Sequence, residues 1–226
     1  MTPEIVFFDM DHTLIDNDCD VSWKEFLIEL EVADPAENQE KELYFRQYLE
    51  GCLQIEPFLE FQFRQFRFKT PDEMRPLATR HFERHVLPRV YPDARRAVQS
   101  HREAGRTIAI LTSTCDLIAE PLAAHLEIDQ VMGTRLELRD GRYTGRIAPP
   151  YCHGAGKLEY ARPCCERRGL SLQEAAYYGD SVNDVPMLEA VGCPVVVNPS
   201  EELASIAAKR DWPVERWRLD ARPTTP

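Results

Sequence analysis

Apolar positions along the chain follow two different periods. Short runs rich in β-branched and aromatic residues recur at 5–8, 107–111, 175–178 and 195–197, and each stops at a polar or Gly-containing turn. Runs so brief and so continuously apolar predict strands buried on both faces, as in a parallel sheet. Helical stretches at 94–103, 157–168, 185–191 and 201–209 separate or follow the strand signals. This alternation predicts an α/β fold, a Rossmann-like parallel sheet whose ligands bind beyond the carboxyl ends of its strands.

From about residue 20 to residue 87 the strand signal vanishes and a helical period replaces it. Trp23, Phe26, Leu27 and Leu30 make one stripe, and Tyr44, Phe45, Tyr48, Leu49 and Cys52 a second. Ile55, Phe58, Leu59, Phe63 and Phe66 make a third; Met74, Leu77, Ala78, His81 and His85 a fourth. Turn signals at Pro35 to Asn38, Gly51 and Thr70-Pro71-Asp72 separate them, with Thr70 placed to cap a helix and Pro71 to open it. Four short amphipathic helices can bury such stripes against one another. The expected organisation is an α/β core built from residues 1–17 and 88–226 with an all-helical cap at 18–87. Within the core, the alternating stretch 131–147 centres on Asp140-Gly141 and predicts a hairpin. The tail beyond Asp211 is expected to be held by Trp212 and Trp217, with its last few residues loose.

Composition narrows the function classes. With 43% hydrophobic and 29% charged residues over 226 positions, the chain has an ordinary globular balance and no apolar stretch of membrane-spanning length. The N-terminus enters a strand without a basic region or apolar signal core, so a cytoplasmic location is expected. The seven cysteines form no Cys-x-x-Cys pair, which suits reduced thiols and disfavours zinc. A formal net charge of −11 argues against nucleic acid or an anionic membrane as partner. The oligomeric state is not legible.

The candidate chemistry sits at strand ends. Asp9-Met10-Asp11-His12-Thr13 follows the first apolar run, and residues two apart in extended chain share a side. Two carboxylates buried together need a cation, a proton or a substrate to offset them; a loop cap, with Asp11 or Thr13 bonding backbone N–H groups, is the plainer alternative. Thr112, Ser113 and Thr114 follow the second run, where hydroxyls and free N–H groups could bind phosphate or simply cap a helix. Gly154-Ala155-Gly156-Lys157 places a lysine at a helix start. It does not match a P-loop, and a cation there opposes the macrodipole, which suggests that Lys157 faces an anion. Gly179-Asp180-Ser181-Val182-Asn183-Asp184 follows the third run and sets two more carboxylates around a turn.

Taken in order, these motifs resemble the haloacid dehalogenase superfamily, in its Mg²⁺-dependent phosphatase branch, over nearly the whole chain. The resemblance implies Asp9 as nucleophile, forming an aspartyl phosphate, and Asp11 as general acid and then base. It implies Mg²⁺ held by Asp9, the backbone carbonyl of Asp11, Asp180 and water, with Asp184 near or in that shell. Thr112 and the backbone near Ser113 would bind the phosphoryl oxygens, and Lys157 would neutralise phosphate and nucleophile. A second aspartate two beyond the nucleophile favours a phosphatase or phosphomutase over a dehalogenase. The helical insertion between the first two motifs is similar to the cap of the phosphoserine phosphatase-like subgroup. Asp18 stands where those enzymes carry a glutamate that reads the substrate amine, and Thr112-Ser113-Thr114 replaces their Ser-Gly-Gly. The expected substrate is a small phosphorylated metabolite of the phosphoserine or histidinol phosphate kind. Phosphoryl transfer to another hydroxyl, or phospho-ligand binding without catalysis, are the alternatives. Phe61 and Phe68, with Arg64 and Arg67, could face the substrate or pack against another helix, and His81 and His85 share one helical face.

Overall fold

The computed structural model describes residues 2–219, apart from the side chains of Tyr48 and Leu49. The expectation for the last few residues therefore lies outside the described chain. The strand β1 (Ile5–Phe8) leads into the helices α1 (Cys19–Glu29), α2 (Glu37–Leu49), α3 (Ile55–Gln62) and α4 (Pro71–His81). The chain then forms α5 (Pro92–Glu103), β2 (Thr107–Cys115), α6 (Asp116–Leu126), β3 (Gln130–Thr134), β4 (Leu136–Arg139) and β5 (Arg142–Ile147). It finishes with α7 (Lys157–Glu166), β6 (Ala175–Gly179), α8 (Val185–Ala190), β7 (Cys193–Val197), α9 (Glu201–Lys209) and β8 (Val214–Glu215).

Six strands make a parallel sheet in the order β3-β2-β1-β6-β7-β8. The β1 strand lies between β2 and β6, with Phe8 level with Ile110 and Tyr178, so these strands deliver their following residues to one edge. Side chains alternate as the two-residue period requires. Val6, Phe8, Ile108, Ile110 and Tyr178 enter one apolar core with α5 and α6. Ile5, Phe7, Ala109, Leu111 and Tyr177 enter the other with α7, α8 and α9.

Three local expectations change. The stretch 131–147 is two structures, because Val131 begins the body of β3, an edge strand of the main sheet, and only β4 and β5 pair as the hairpin. Gln130 and Gly133 interrupt the apolar run that would have marked β3 as a strand. Asp140 and Gly141 have φ of 52° and 74°, the left-handed pair a tight hairpin turn requires. The hydroxyl segment after residue 111 belongs to β2, which shifts register between Leu111 and Cys115. Trp217 is buried against Tyr91 and Tyr178, and the short β8 just before it extends the sheet.

Among the inserted helices, α1 buries Trp23, Phe26 and Leu27 as expected. The α4 start carries the full reciprocal cap, Thr70 accepting from Glu73 N–H and Glu73 from Thr70 N–H, with Pro71 in the first turn. Among the described side chains of the second stripe, Tyr44 packs against Phe58 and Phe61, but Phe45 is 51% exposed and Cys52 is exposed. Polar contacts also attach α2, through Glu37 to Lys24, Lys41 to Glu25 and Glu40 to Arg64. Phe61, off the third stripe, is only 2% exposed and lies under Lys24 Nζ and beside Arg64 and Tyr44. It packs rather than facing a substrate. Phe68 is 66% exposed beneath the Arg67 guanidinium. His81 and His85 stack at 5.5 Å, His81 fully buried, and the chain leaves the helical region through a π-helical turn at Phe82–Val86.

Candidate active site

The end of β1 places Asp9 against Lys157, the first residue of α7. Lys157 Nζ donates to Asp9 Oδ1 at 2.6 Å, to Asp184 Oδ1 at 2.7 Å and to the Tyr177 hydroxyl at 2.8 Å. Tyr177 also donates to Asp184 Oδ1. Lys157 therefore faces two anions, as its unfavourable place on the helix dipole suggested. Asp184 Oδ2 accepts from the backbone N–H groups of Asp180 and Ser181 and from the Ser181 hydroxyl, at 3.1 to 3.2 Å. This folds the turn back on itself, so closely that a Cβ on Gly179 would lie 2.8 Å from the Asp184 carboxylate. The glycine before Asp180 is a steric requirement of the turn. Thr13 donates to Asp180 Oδ1 at 3.2 Å and steadies the remaining carboxylate.

Asp11 turns to the other side of the site. Its Oδ2 accepts from the Thr114 hydroxyl at 2.6 Å and its Oδ1 from the Cys19 N–H at 2.8 Å, where α1 begins. Asp9 meets Lys157 while Asp11 meets Thr114 and Cys19, so the two carboxylates do not share one direction. Asp18 caps α1 by accepting from Val21 N–H, and its charge, after burial, pushes the Asp11 carboxyl upward. Asp20 is raised well above the carboxylate range by burial, then by Asp18 and Asp11, while the Gln62 amide donates to it at 3.2 Å. At the end of β2, Thr112 is buried and its Oγ1 accepts from Thr114 N–H at 3.1 Å, which leaves the Thr112 hydroxyl proton for another acceptor. Ser113 is half-buried beside it, and its carbonyl accepts from Thr134 at 2.6 Å.

Charge is not balanced here. Asp9, Asp180 and Asp184 each bring an oxygen within 4.8 Å of the others, and Lys157 is the ammonium among them. Burial pushes Asp9 up to about 7, with Lys157 opposing and Asp184 and Asp11 adding to the rise. Burial, Asp9 and Asp184 raise Asp180 well above its ordinary value. For Asp184 burial is outweighed by Lys157, Tyr177 and the Ser181 backbone, which hold it low. A divalent cation would remove the excess. The donors are all oxygens, the choice of a hard cation rather than zinc. Five protein donors already fill the Asp184 carboxylate, so Asp9 and Asp180 have the freer oxygens and Asp184 secures the turn. A cavity of about 570 Å³, bordered by His12, Asp16, Tyr91, Asp180 and Asn198, opens on the Asp180 side.

The structure thus brings Asp9, Lys157, Asp180 and Asp184 into one cluster and sets Asp11 and Thr114 beside it. The sequence motifs did not single out Tyr177, Cys19, Asp20 or Gln62. Strand alternation could have found Tyr177, which is level with Phe7 and shares the face that leads to Asp9. Nothing local marks the Cys19 N–H.

Residues 6–189 match the family model for haloacid dehalogenase-like hydrolases. The chain belongs to that family, and within it is a phosphomonoester hydrolase. It is similar to a histidinol-phosphatase of Neisseria meningitidis, 34% identical over 93% of this chain and 97% of that protein. A phosphoserine phosphatase of Mycobacterium tuberculosis is 35% identical over 59% of this chain and 44% of its own length. A solved structure from Bordetella pertussis, a protein of unknown function, superposes with a TM-score of 0.88 at 33% identity, covering 97% of this chain and 100% of that one.

Proposed function

We propose that the protein is a Mg²⁺-dependent phosphatase of small amino-alcohol phosphates, of the histidinol phosphate kind, working through an aspartyl phosphate on Asp9. The observation that carries this reading is the separation of two carboxylates: Asp9 against the Lys157 ammonium, and Asp11 turned away toward Thr114 and the first helix. Asp9 attacks phosphorus, and the bond to the ester oxygen breaks. Asp11 gives its proton to the departing alkoxide, then takes one from the water that hydrolyses the aspartyl phosphate. Thr112 donates its free hydroxyl proton to a phosphoryl oxygen, and Lys157 offsets the charge of nucleophile and phosphate. Asp9, Asp180 and the Asp11 carbonyl would hold Mg²⁺, with Asp184 securing their turn; when bound, the ion supplies charge neutralisation for the phosphoryl oxygens.

The helical segment 18–87 serves in this reading as a cap that selects the leaving group and excludes water. Asp18 and Asp20 crowd the Asp11 side with carboxyl groups whose charged forms disfavour one another, and an ammonium on the leaving group would offset that repulsion. Histidinol phosphate and phosphoserine both carry one, and a relative similar over nearly its full length is a histidinol-phosphatase. Seven free thiols suit a cytosolic enzyme. Among the described residues, no helix is long and apolar enough to cross a membrane.

A panel of phosphorylated metabolites assayed with Mg²⁺ tests the reading. Histidinol phosphate is expected to give the highest kcat/KM, and inorganic phosphate is released whether or not an acceptor alcohol is added. A higher kcat/KM for a leaving group without an amine would refute the assigned substrate class.

A further inference from the structure

Thr114 is wholly buried at the end of β2, yet its hydroxyl is spent on the side chain of Asp11. Its backbone is fixed from three directions. The N–H donates to Thr112 Oγ1 at 3.1 Å, and the neighbouring Ser113 carbonyl is held by Thr134 at 2.6 Å. Gly133 of β3 comes so near that a Cβ there would lie 2.6 Å from the Thr114 carbonyl oxygen. The hydroxyl is therefore mounted on the sheet. Its opposite number, the Cys19 N–H, belongs to the first inserted helix and holds the other oxygen of the same carboxylate at 2.8 Å. Two donors on two oxygens fix both the direction and the twist of a carboxylate, which one donor cannot do.

We infer that Thr114 is a positioning residue for proton transfer by Asp11. It holds the carboxyl in the orientation from which the leaving oxygen is protonated, and a hydroxyl can stay bonded through both protonation states because it donates and accepts. Glycine at this position could not do so. The inference rests on the reading of Asp11 as general acid, and it predicts a dependence on leaving group rather than on binding.

The test compares kcat/KM, which reports steps up to departure of the leaving group, for two substrates at saturating Mg²⁺. Histidinol phosphate needs a proton on its leaving oxygen; 2,4-dinitrophenyl phosphate does not. Thr114→Val keeps the shape and removes the hydroxyl, and is expected to lose about 10²-fold on the alkyl ester with KM little changed, but less than about threefold on the aryl ester. Thr114→Ser restores the alkyl activity to within about threefold of the parent. With the aryl ester, Thr114→Val is also expected to release a burst of dinitrophenolate, since hydrolysis of the aspartyl phosphate still needs Asp11. Should the valine protein not fold, Thr114→Ala gives the same comparison. Equal losses on both esters, or no loss on the alkyl ester, would overturn the role of Thr114. Asp11→Asn separates the two claims: if it loses equally on both esters the acid assignment itself fails, whereas leaving-group selectivity in Asp11→Asn without it in Thr114→Val rejects Thr114 alone.

Discussion

Among the described residues two lysines are buried, and their surroundings differ in kind. Lys24, 0% exposed among the inserted helices, donates to Glu37, to the Phe61 carbonyl and to Gln65, and lies over the Phe61 ring. Lys157, 3% exposed at the sheet edge, faces Asp9 and Asp184 with Asp180 close by. Burial lowers the Lys24 ammonium, with Glu37 compensating only in part. Burial pulls on Lys157 too, but Asp184, Asp9 and Tyr177 outweigh it and leave its pKa well above the ordinary value. One cluster is balanced, with Lys24 and Arg64 against Glu37 and Glu40 and the remaining Lys24 donors used. The other carries excess negative charge, an arrangement that structure alone would not favour. A surplus that raises Asp9 and Asp180 toward protonation, and that a bound cation would offset, points to this cluster as the candidate functional one.

Variants of the two lysines break this comparison most sharply. Lys157→Met should abolish turnover, and Asp184→Asn added to it should not bring turnover back, since the ammonium acts on the reacting groups. Lys24→Met should cost about 3 kcal/mol by removing the buried partner of Glu37, which Arg64 and Gln65 still contact, whereas Lys24→Met with Glu37→Leu should recover most of that loss and retain kcat. Urea titrations together with kcat measurements check both arms. Removal of divalent cation by EDTA should abolish activity in the core, and Mg²⁺ at about 100 times its Kd should stabilise the protein by about 2.7 kcal/mol. A melting temperature indifferent to Mg²⁺ would argue against the Asp9 and Asp180 site.

The inserted helices should show a milder dependence on pH. Burial, and then His85, lowers His81 to about 3, so it folds uncharged. Below about pH 6.5 the unfolded chain takes up a proton there that the folded chain does not, and stability falls as pH falls, by at most about 1.4 kcal/mol per unit. His101, lowered to about 4 by burial and Arg106, adds the same sign within the core. Denaturation at pH 7 and pH 5 should show His81→Gln losing less stability between them than the parent. The smallest effect is expected at Phe45, where replacement by Ser should change stability by less than about 0.5 kcal/mol because the ring is largely in solvent.

How much was legible depended on whether a feature was local. The strands 5–8 and 175–178 announced themselves because burial on both faces leaves an unbroken apolar run, and α4 because Thr70, Pro71 and Glu73 mark its first turn. β3 was hidden by its polar Gln130 and by Gly133, which is needed for close approach to Thr114 and Asp116 rather than for strand propensity. The second helical stripe misled for the opposite reason: the periodicity exists, but α2 is tied on by ion pairs and leaves Phe45 outside. At the site, motif order located Asp9, Lys157, Asp180 and Asp184, whereas Tyr177, Asp20 and Gln62 enter only through three-dimensional proximity. Thr114 stood in a motif, but its acceptor is 103 residues away in the chain.

The central claim is that Asp9 carries the phosphoryl group. Asp11→Asn protein, mixed with 2,4-dinitrophenyl phosphate and Mg²⁺ and quenched in acid within the first turnover, should yield a peptide spanning Asp9 heavier by one phosphoryl group, with the label lost in Asp9→Asn. Phosphorylation at any other residue, or turnover by Asp9→Asn comparable to the parent, would contradict it.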